Sequence, residues 1–127
     1  MGDFSGSLGV SASGLRAQAT RLKHVSENIA NADTPGYRRK TVDFRADPDQ
    51  PGAVRTGKVR LDRAELARVH DPSHPLADGT GHYEGTNVDL IIEIADAREA
   101  QRSYEANLKM FDQARQMSSS LMDLLRR

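Results

Sequence analysis

Apolar residues in the first quarter of the chain fall at helical spacing. Leu8, Leu15, Leu22 and Ile29 recur every seven residues, with Ala12 and Ala19 four after a leucine and Val25 three after Leu22. A heptad stripe of this kind predicts a helix that packs along another helix, here from about Ser5 to Ala32. Gly14 weakens it by about 1 kcal/mol relative to Ala. Thr34 precedes Pro35, and a residue before proline is pushed out of the helical region, so the helix should stop near Asn31–Asp33. Pro35-Gly36 then fits a type II turn, with Gly36 at positive φ.

From Tyr37 to Gly85 the pattern changes. Pro48, Pro51, Pro72 and Pro75 fall here, with many of the glycines. Alternation in Thr41-Val42-Asp43-Phe44 and in Lys58-Val59-Arg60-Leu61-Asp62 predicts two short strands, with a turn at Gln50-Pro51-Gly52 between them. Leu66-Ala67-Arg68-Val69 is ambiguous. Pro72, Pro75, Gly79 and Gly81 make His70 to Gly81 a loop. The segment reads as a small, irregular β-rich insert.

From Asn87 to Arg127 there is no Gly or Pro, and one long helix is predicted. Thr86 with Asp89 three residues on makes a capping-box-like start. Leu90, Ile94, Ala97, Tyr104, Leu108 and Phe111 keep helical spacing, and Met110, Ala114, Met117, Leu121 and Leu124 continue it one position over. Glu105 and Lys109 form a favourable pair, and Arg126 and Arg127 stand where the helix dipole favours cations.

The fold class is therefore mainly α: long N- and C-terminal helices packed as an antiparallel coiled-coil-like pair, with the insert between them. Residues 1–36 hold the first helix and its turn, 37–86 the insert, and 87–127 the last helix. The helices should be about 40 Å and 60 Å long, a difference of roughly four turns. The extra length is expected at Val88 to Ala97, where Ile91 and Ile92 widen the apolar stripe, to grip the insert or a neighbouring subunit.

Composition sharpens this picture. Only 37% of the 127 residues are apolar and 5% aromatic, which is thin for a self-contained core and points to burial against partners. The 18 basic and 18 acidic residues are mixed along the chain, with no basic stripe for nucleic acid. There is no cysteine, which excludes disulfides and a Cys-based zinc site. No apolar run is long enough for a membrane span. The Gly/Ser-rich start lacks the features of a cleavable signal peptide.

Residues 28 to 37 read Asn28-Ile29-Ala30-Asn31-Ala32-Asp33-Thr34-Pro35-Gly36-Tyr37. Placed directly after a heptad helix, this resembles the signature of the flagellar rod and hook axial proteins. Ala12-Ser13-Gly14-Leu15-Arg16-Ala17-Gln18 resembles that family's start. Asn87-Val88-Asp89-Leu90 and Ser103-Tyr104-Glu105-Ala106-Asn107 resemble its C-terminal signature. His70 to Asp78 with Gly81-His82-Tyr83 resembles one of the family's two small proximal rod proteins. Thr34 to Tyr37 with Val42-Asp43-Phe44 also resembles the other, and the His-Pro loop favours the first.

The resemblance implies a structural subunit of the rod, the drive shaft that crosses the periplasm. It implies export through the flagellum's own type III apparatus, which agrees with the lack of a signal peptide. The implied partners are copies of the chain, other rod proteins, the rod-base adaptor and the inner-membrane ring proteins. No nucleic acid and no direct membrane insertion are expected. Helix packing is expected through Leu8, Leu15, Leu22, Ile29, Ile94, Leu108, Phe111, Leu121 and Leu124.

Candidate chemistry is sparse. Asn28, Asn31 and Thr34 either terminate the helix or also fix the exit of the chain and bond to neighbours. His70, His74 and His82 with Asp71 and Asp78 could be read as a metal site, but the prolines keep His70 and His74 off one helix face, and a solvated loop is the better reading. Ser118-Ser119-Ser120 carries no nucleophile-elbow pattern. Arg38-Arg39-Lys40 is a solvated patch or a contact for an acidic neighbour. No catalytic, cofactor-binding or metal-ligating residue is assigned, and no cofactor is expected. The rival readings are a free-standing coiled-coil adaptor and a metal-dependent hydrolase using the His loop.

Overall fold

The computed structural model describes residues 2–126, with side chains from residue 5 onward; Met1 and Arg127 lie outside the described residues. Two helices frame the chain, α1 over Gly2–Ala30 and α2 over Leu90–Leu125. Six short strands lie between them: β1 Lys40–Thr41, β2 Phe44–Ala46, β3 Val54–Thr56, β4 Arg60–Leu61, β5 Arg68–His70 and β6 His82–Glu84.

Helix α1 starts earlier than its heptad stripe predicts, at Gly2 rather than Ser5, and ends at Ala30 rather than Ala32. The Gly/Ser-rich start is helical because it has something to lie on. A Cβ at Gly9 would collide with the Gln50 amide, and one at Gly52 would touch Val10. Ser13 accepts a hydrogen bond from the Val54 amide at 3.1 Å. Packing of this kind overrides poor helix propensity.

Helix α2 is capped differently from the expectation. Asp89 is the N-cap, accepting from the Ile91 amide at 3.0 Å. Thr86 instead ties two segments together: its hydroxyl donates to the Ala32 carbonyl at 2.9 Å and accepts from the Val88 amide at 3.2 Å. The helices have 29 and 36 residues, so their lengths differ by about two turns rather than four.

Contacts descend along α2 as they ascend along α1. A Cβ at Gly14 would lie 2.8 Å from Asn107 Oδ1, Arg21 pairs with Asp96 and Glu99, and Asn28 meets Glu93. Carried to the start of α1, this register leaves the last turn or two of α2 uncovered. The extra length thus falls at the C-terminal end, where Leu124 and Leu125 are exposed, and not at Val88 to Ala97.

The deepest positions between the elements are small or polar: Ala17, Asn28, Glu93, Ala100 and Ala114 are all buried. The heptad leucines do not form this seam. Leu8, Leu15 and Leu22 are only half-buried, as are Phe111 and Leu121, while Ile29, Ile94, Leu108 and Leu124 are exposed. Small residues let two helix backbones approach, which pushes the large apolar side chains to the flanks.

The strands pair antiparallel as β1 with β4, β2 with β3, and β5 with β6. Pairs β2–β3 and β1–β4 form one ribbon, interrupted at Val42-Asp43 and residues 57–59 but linked by the Gly57 amide donating to the Asp43 carbonyl at 2.8 Å. The predicted Thr41–Phe44 run is therefore broken, the Lys58–Asp62 run is shortened to Arg60–Leu61, and β3 and β6 are additions. Pro51-Gly52 makes the turn, with the Ala53 amide bonded to the Gln50 carbonyl at 3.1 Å and Gly52 at φ 83°. The ambiguous Leu66–Val69 run contributes β5, which makes His70–Gly81 largely the loop of a hairpin.

Candidate functional site: the turn after the first helix

The motif that closes α1 is built around Asn28. In the last turn of α1 it is fully buried. Its amide nitrogen donates to the Lys40 carbonyl at 2.9 Å and to Glu93 Oε2 at 3.3 Å. Its amide oxygen accepts from the Tyr37 hydroxyl and the Lys40 amide, both at 2.8 Å. All four hydrogen-bonding positions of the side chain are used. Asn28 thus stitches the strand after the turn to both helices.

The chain reaches β1 through the Pro35-Gly36 turn. The Tyr37 amide donates to the Thr34 carbonyl at 3.1 Å, and Gly36 has φ 78°, the left-handed value that the third residue of a type II turn needs. Asn31 donates to the Glu27 carbonyl at 2.8 Å and accepts from the Thr34 hydroxyl at 3.1 Å. The Gly36 amide donates to the Gly85 carbonyl at 2.9 Å, which fixes the turn to the segment entering α2. Ile29 and Ala30 face outward on the same helical turn.

Beyond the turn, Arg39 carries the second half of the node. Its Nε donates to Glu93 Oε1, one terminal nitrogen reaches Asp96 at 3.1 Å, and the other lies 3.6 Å from Asp62. Its backbone amide donates to Asn87 Oδ1 at 2.7 Å, and the Asn87 amide group donates to the Asp62 and Ala64 carbonyls. Burial alone would lower the pKa of Arg39, but the bond and charge of Glu93, with Asp96 and Asp62, raise it overall, so the guanidinium stays charged. The hydrogen bond from Lys40 holds the Glu27 carboxyl below its usual range, and the same bond raises Lys40. Burial pushes the Tyr37 phenol up.

Arg38-Arg39-Lys40 is therefore not a plain solvated patch. Arg39 and Lys40 are engaged inside the chain, and Arg38 donates to the Asp62 and Ala64 carbonyls at 3.1 and 3.0 Å. The residues that sequence reasoning missed are Glu93, Asp96 and Asp62. A signal for Glu93 existed: it is the lone charge inside the run Leu90-Ile91-Ile92-Glu93-Ile94-Ala95, seven residues before Ala100 and fourteen before Asn107.

The C-terminal motif divides. Asn87 joins the node and Asp89 caps α2, whereas Val88 is half-buried and Leu90 exposed beside them. Tyr104 and Asn107 lie apart, about 20–25 Å further along α2. Asn107 there donates to the Ser103 carbonyl at 3.0 Å and occupies the space that Gly14 leaves open.

The histidine loop is organised by Asp78. Its Oδ1 accepts from the Thr80 amide, the Thr80 hydroxyl and the His82 amide, at 2.9, 2.6 and 3.2 Å. These bonds, the Thr80 hydroxyl foremost, hold the Asp78 carboxyl at about 2. His74 stacks on Tyr83 with ring centroids 3.9 Å apart, and the rings of His70 and His82 lie 4.7 Å apart and tilted. Among the described residues no cluster of three or more His, Asp or Glu is placed to hold a metal ion.

Two family models match the chain. The flagella basal body rod protein model covers residues 8–38, and the flagellar basal body rod FlgEFG protein C-terminal model covers residues 80–124. The chain is 45% identical to the flagellar basal-body rod protein FlgC of Agrobacterium fabrum, over 99% of this chain and 98% of that one. It is 34% identical to FlgC of Salmonella typhimurium over 91% of this chain and 92% of that one. It is 31% identical to FlgC of Borreliella burgdorferi over 98% and 99%. The other small proximal rod protein, FlgB, is not favoured. With both signatures matched and full-length relatives in hand, the chain belongs to the family of flagellar basal-body rod protein FlgC.

Proposed function

We propose that this structural rod subunit polymerises through its two terminal helices, which pack as an antiparallel coiled-coil-like pair. Residues 1–36 and 87–127 form the axial core, and 37–86 form an insert that the node holds at a fixed angle. The protein works mechanically in the torque-transmitting shaft: many shallow helix contacts in parallel resist twisting, and no chemical step is involved.

The observation that carries this reading is the outer face of α2. Ile91 is 81% exposed, Leu124 64% and Met110 61%, and Leu90, Ile92, Ile94, Leu108 and Met117 are exposed with them. A monomer rarely leaves so much apolar surface uncovered, and helices of neighbouring subunits are the fitting cover. Among the described residues no helix is long and apolar enough to cross a membrane. The proposed partners are copies of the chain, other rod proteins, the rod-base adaptor and the inner-membrane ring. The proposed route is the flagellar type III apparatus, with the rod in the periplasm as destination.

The test is a strain lacking the gene, complemented with a tagged copy. Isolated basal bodies should lack a complete rod in the deletion strain and should contain the tagged chain in the rod when complemented. Complete rods in the deletion strain would sink the reading.

A further inference from the structure

Three arginines line one cleft at the base of the β1–β4 ribbon. Arg38, Arg60, Leu61 and Arg63 line this half-open cleft of about 850 Å³. Their charge is scarcely neutralised. Arg38 spends its hydrogen bonds on carbonyls, Arg60 has only a loose 3.9 Å contact with Asp43, and Arg63 has no ion-pair partner among the described residues. The nearest carboxylate in sequence, Asp62, is turned toward Arg39 and the Ala64 amide. Leu61, 56% exposed, lines the cleft beside them as its apolar member.

The opposite end of the same ribbon carries a complementary shape and charge. The turn from β2 to β3 reads Asp47-Pro48-Asp49, with Pro48 and Asp49 exposed and Asp47 half-buried. The tip is rigid: Asp47 accepts from the Asp49 amide at 2.9 Å, the Asp47 amide donates to the Ala53 carbonyl at 3.0 Å, and buried Ala53 holds the turn against α1. An apolar ring flanked by two carboxylates matches a leucine flanked by arginines.

We propose that the Asp47-Pro48-Asp49 tip of one copy docks into the Arg38–Arg60–Arg63 cleft of the next, with Pro48 on Leu61. Tip and cleft are different surfaces of one chain, so the contact is head-to-tail and generates a ring or a helical array. Charge complementarity fixes its register and rejects the reversed orientation. This rests on the rod-subunit reading only in that several copies must stand side by side; it adds which surfaces they share.

The chain contains no cysteine, so introduced pairs report cleanly. A chain carrying P48C and L61C is expressed in place of the natural one, and isolated basal bodies are oxidised. Within one chain the two positions lie at opposite ends of a ribbon about 20 Å long, beyond disulfide reach. The expected result is a ladder of cross-linked multimers, lost when either cysteine is omitted. Basal bodies that contain the variant but give no ladder overturn the contact and leave the rod reading standing. Basal bodies that lack even the unmodified chain overturn both. A second arm needs no cysteine: R60E with R63E should lower recovery of complete rods by about tenfold or more, since like charges then face each other. Adding D49R, which leaves the Asp47 bond that shapes the tip, should restore part of it. Loss without rescue, or no loss, overturns the proposal.

Discussion

Among the described residues, Asn28 and Glu93 are the two large side chains buried completely, and neither is apolar. A buried carboxylate is tolerable only while its partners stay in place. Replacing Arg39 with Ala leaves Glu93 buried beside Asn28 without its cation, which should cost about 3–5 kcal/mol in chemical denaturation of the purified chain. The double variant R39M with E93L removes both charges and should recover most of that loss. If R39A unfolds at the natural denaturant concentration, the node does not hold the fold. Gly36 makes a different prediction. Nothing lies within 4 Å of where its Cβ would sit, so a side chain there meets only the penalty of positive φ. G36V should therefore cost roughly 1 kcal/mol or more in stability. It should reduce recovery of complete rods far more than it reduces soluble protein, because one misdirected turn recurs in every subunit. Proportional losses would confine the turn to folding. The turn itself was legible, because Pro35-Gly36 has one common geometry. The anchor was not, because hydrogen bonding between Asn28, Lys40 and Glu93 depends on a meeting of segments far apart in sequence.

At the level of elements, the two helices were legible and their seam was not. The heptad of Leu8, Leu15, Leu22 and Ile29 marks α1 as a helix, yet the contacts with α2 run through Gly14, Arg21 and Asn28. Hydrophobic periodicity finds the widest apolar stripe, and here that stripe lies partly outside the pair. Strand ends were also misplaced, since Val42-Asp43 alternates like a strand but forms the break in the ribbon. The β5–β6 hairpin yields a pH prediction. Asp78 has a folded pKa of about 2, below the ordinary carboxylate value near 3.9, because its ionised form accepts three bonds. A lowered pKa contributes order that is fully present above about pH 4 and is lost as pH falls through about 2. The Thr80 and His82 amide resonances should therefore show the carboxylate step of Asp78 near pH 2. A midpoint near 4 would mean that the loop is not organised around Asp78.

For the whole molecule, the exposed face of α2 separates stability from assembly. Ile91 and Met117 are 81% and 52% exposed, so I91Q with M117Q should change monomer stability by no more than about 0.5 kcal/mol per site. The same pair should prevent recovery of complete rods. Normal motility in that strain would show that these side chains meet no neighbour. The overall architecture, long helices at both ends and a β-rich insert, could be read from periodicity and from the proline and glycine distribution. The hairpin pairing could not, because strands of two or three residues carry little pattern. The position of the seam has one more effect, on the order of events in a single molecule's life. Asn28 and Glu93 are 65 residues apart, and the ribosome delivers the N-terminal end first. When α1 emerges, its mate does not yet exist, and a lone amphipathic helix is marginal in water. The molecule therefore commits to its final shape late, when α2 arrives. Until then α1 can lean only on the insert, through the contacts of Gly9 and Ser13 with Gln50 and Val54.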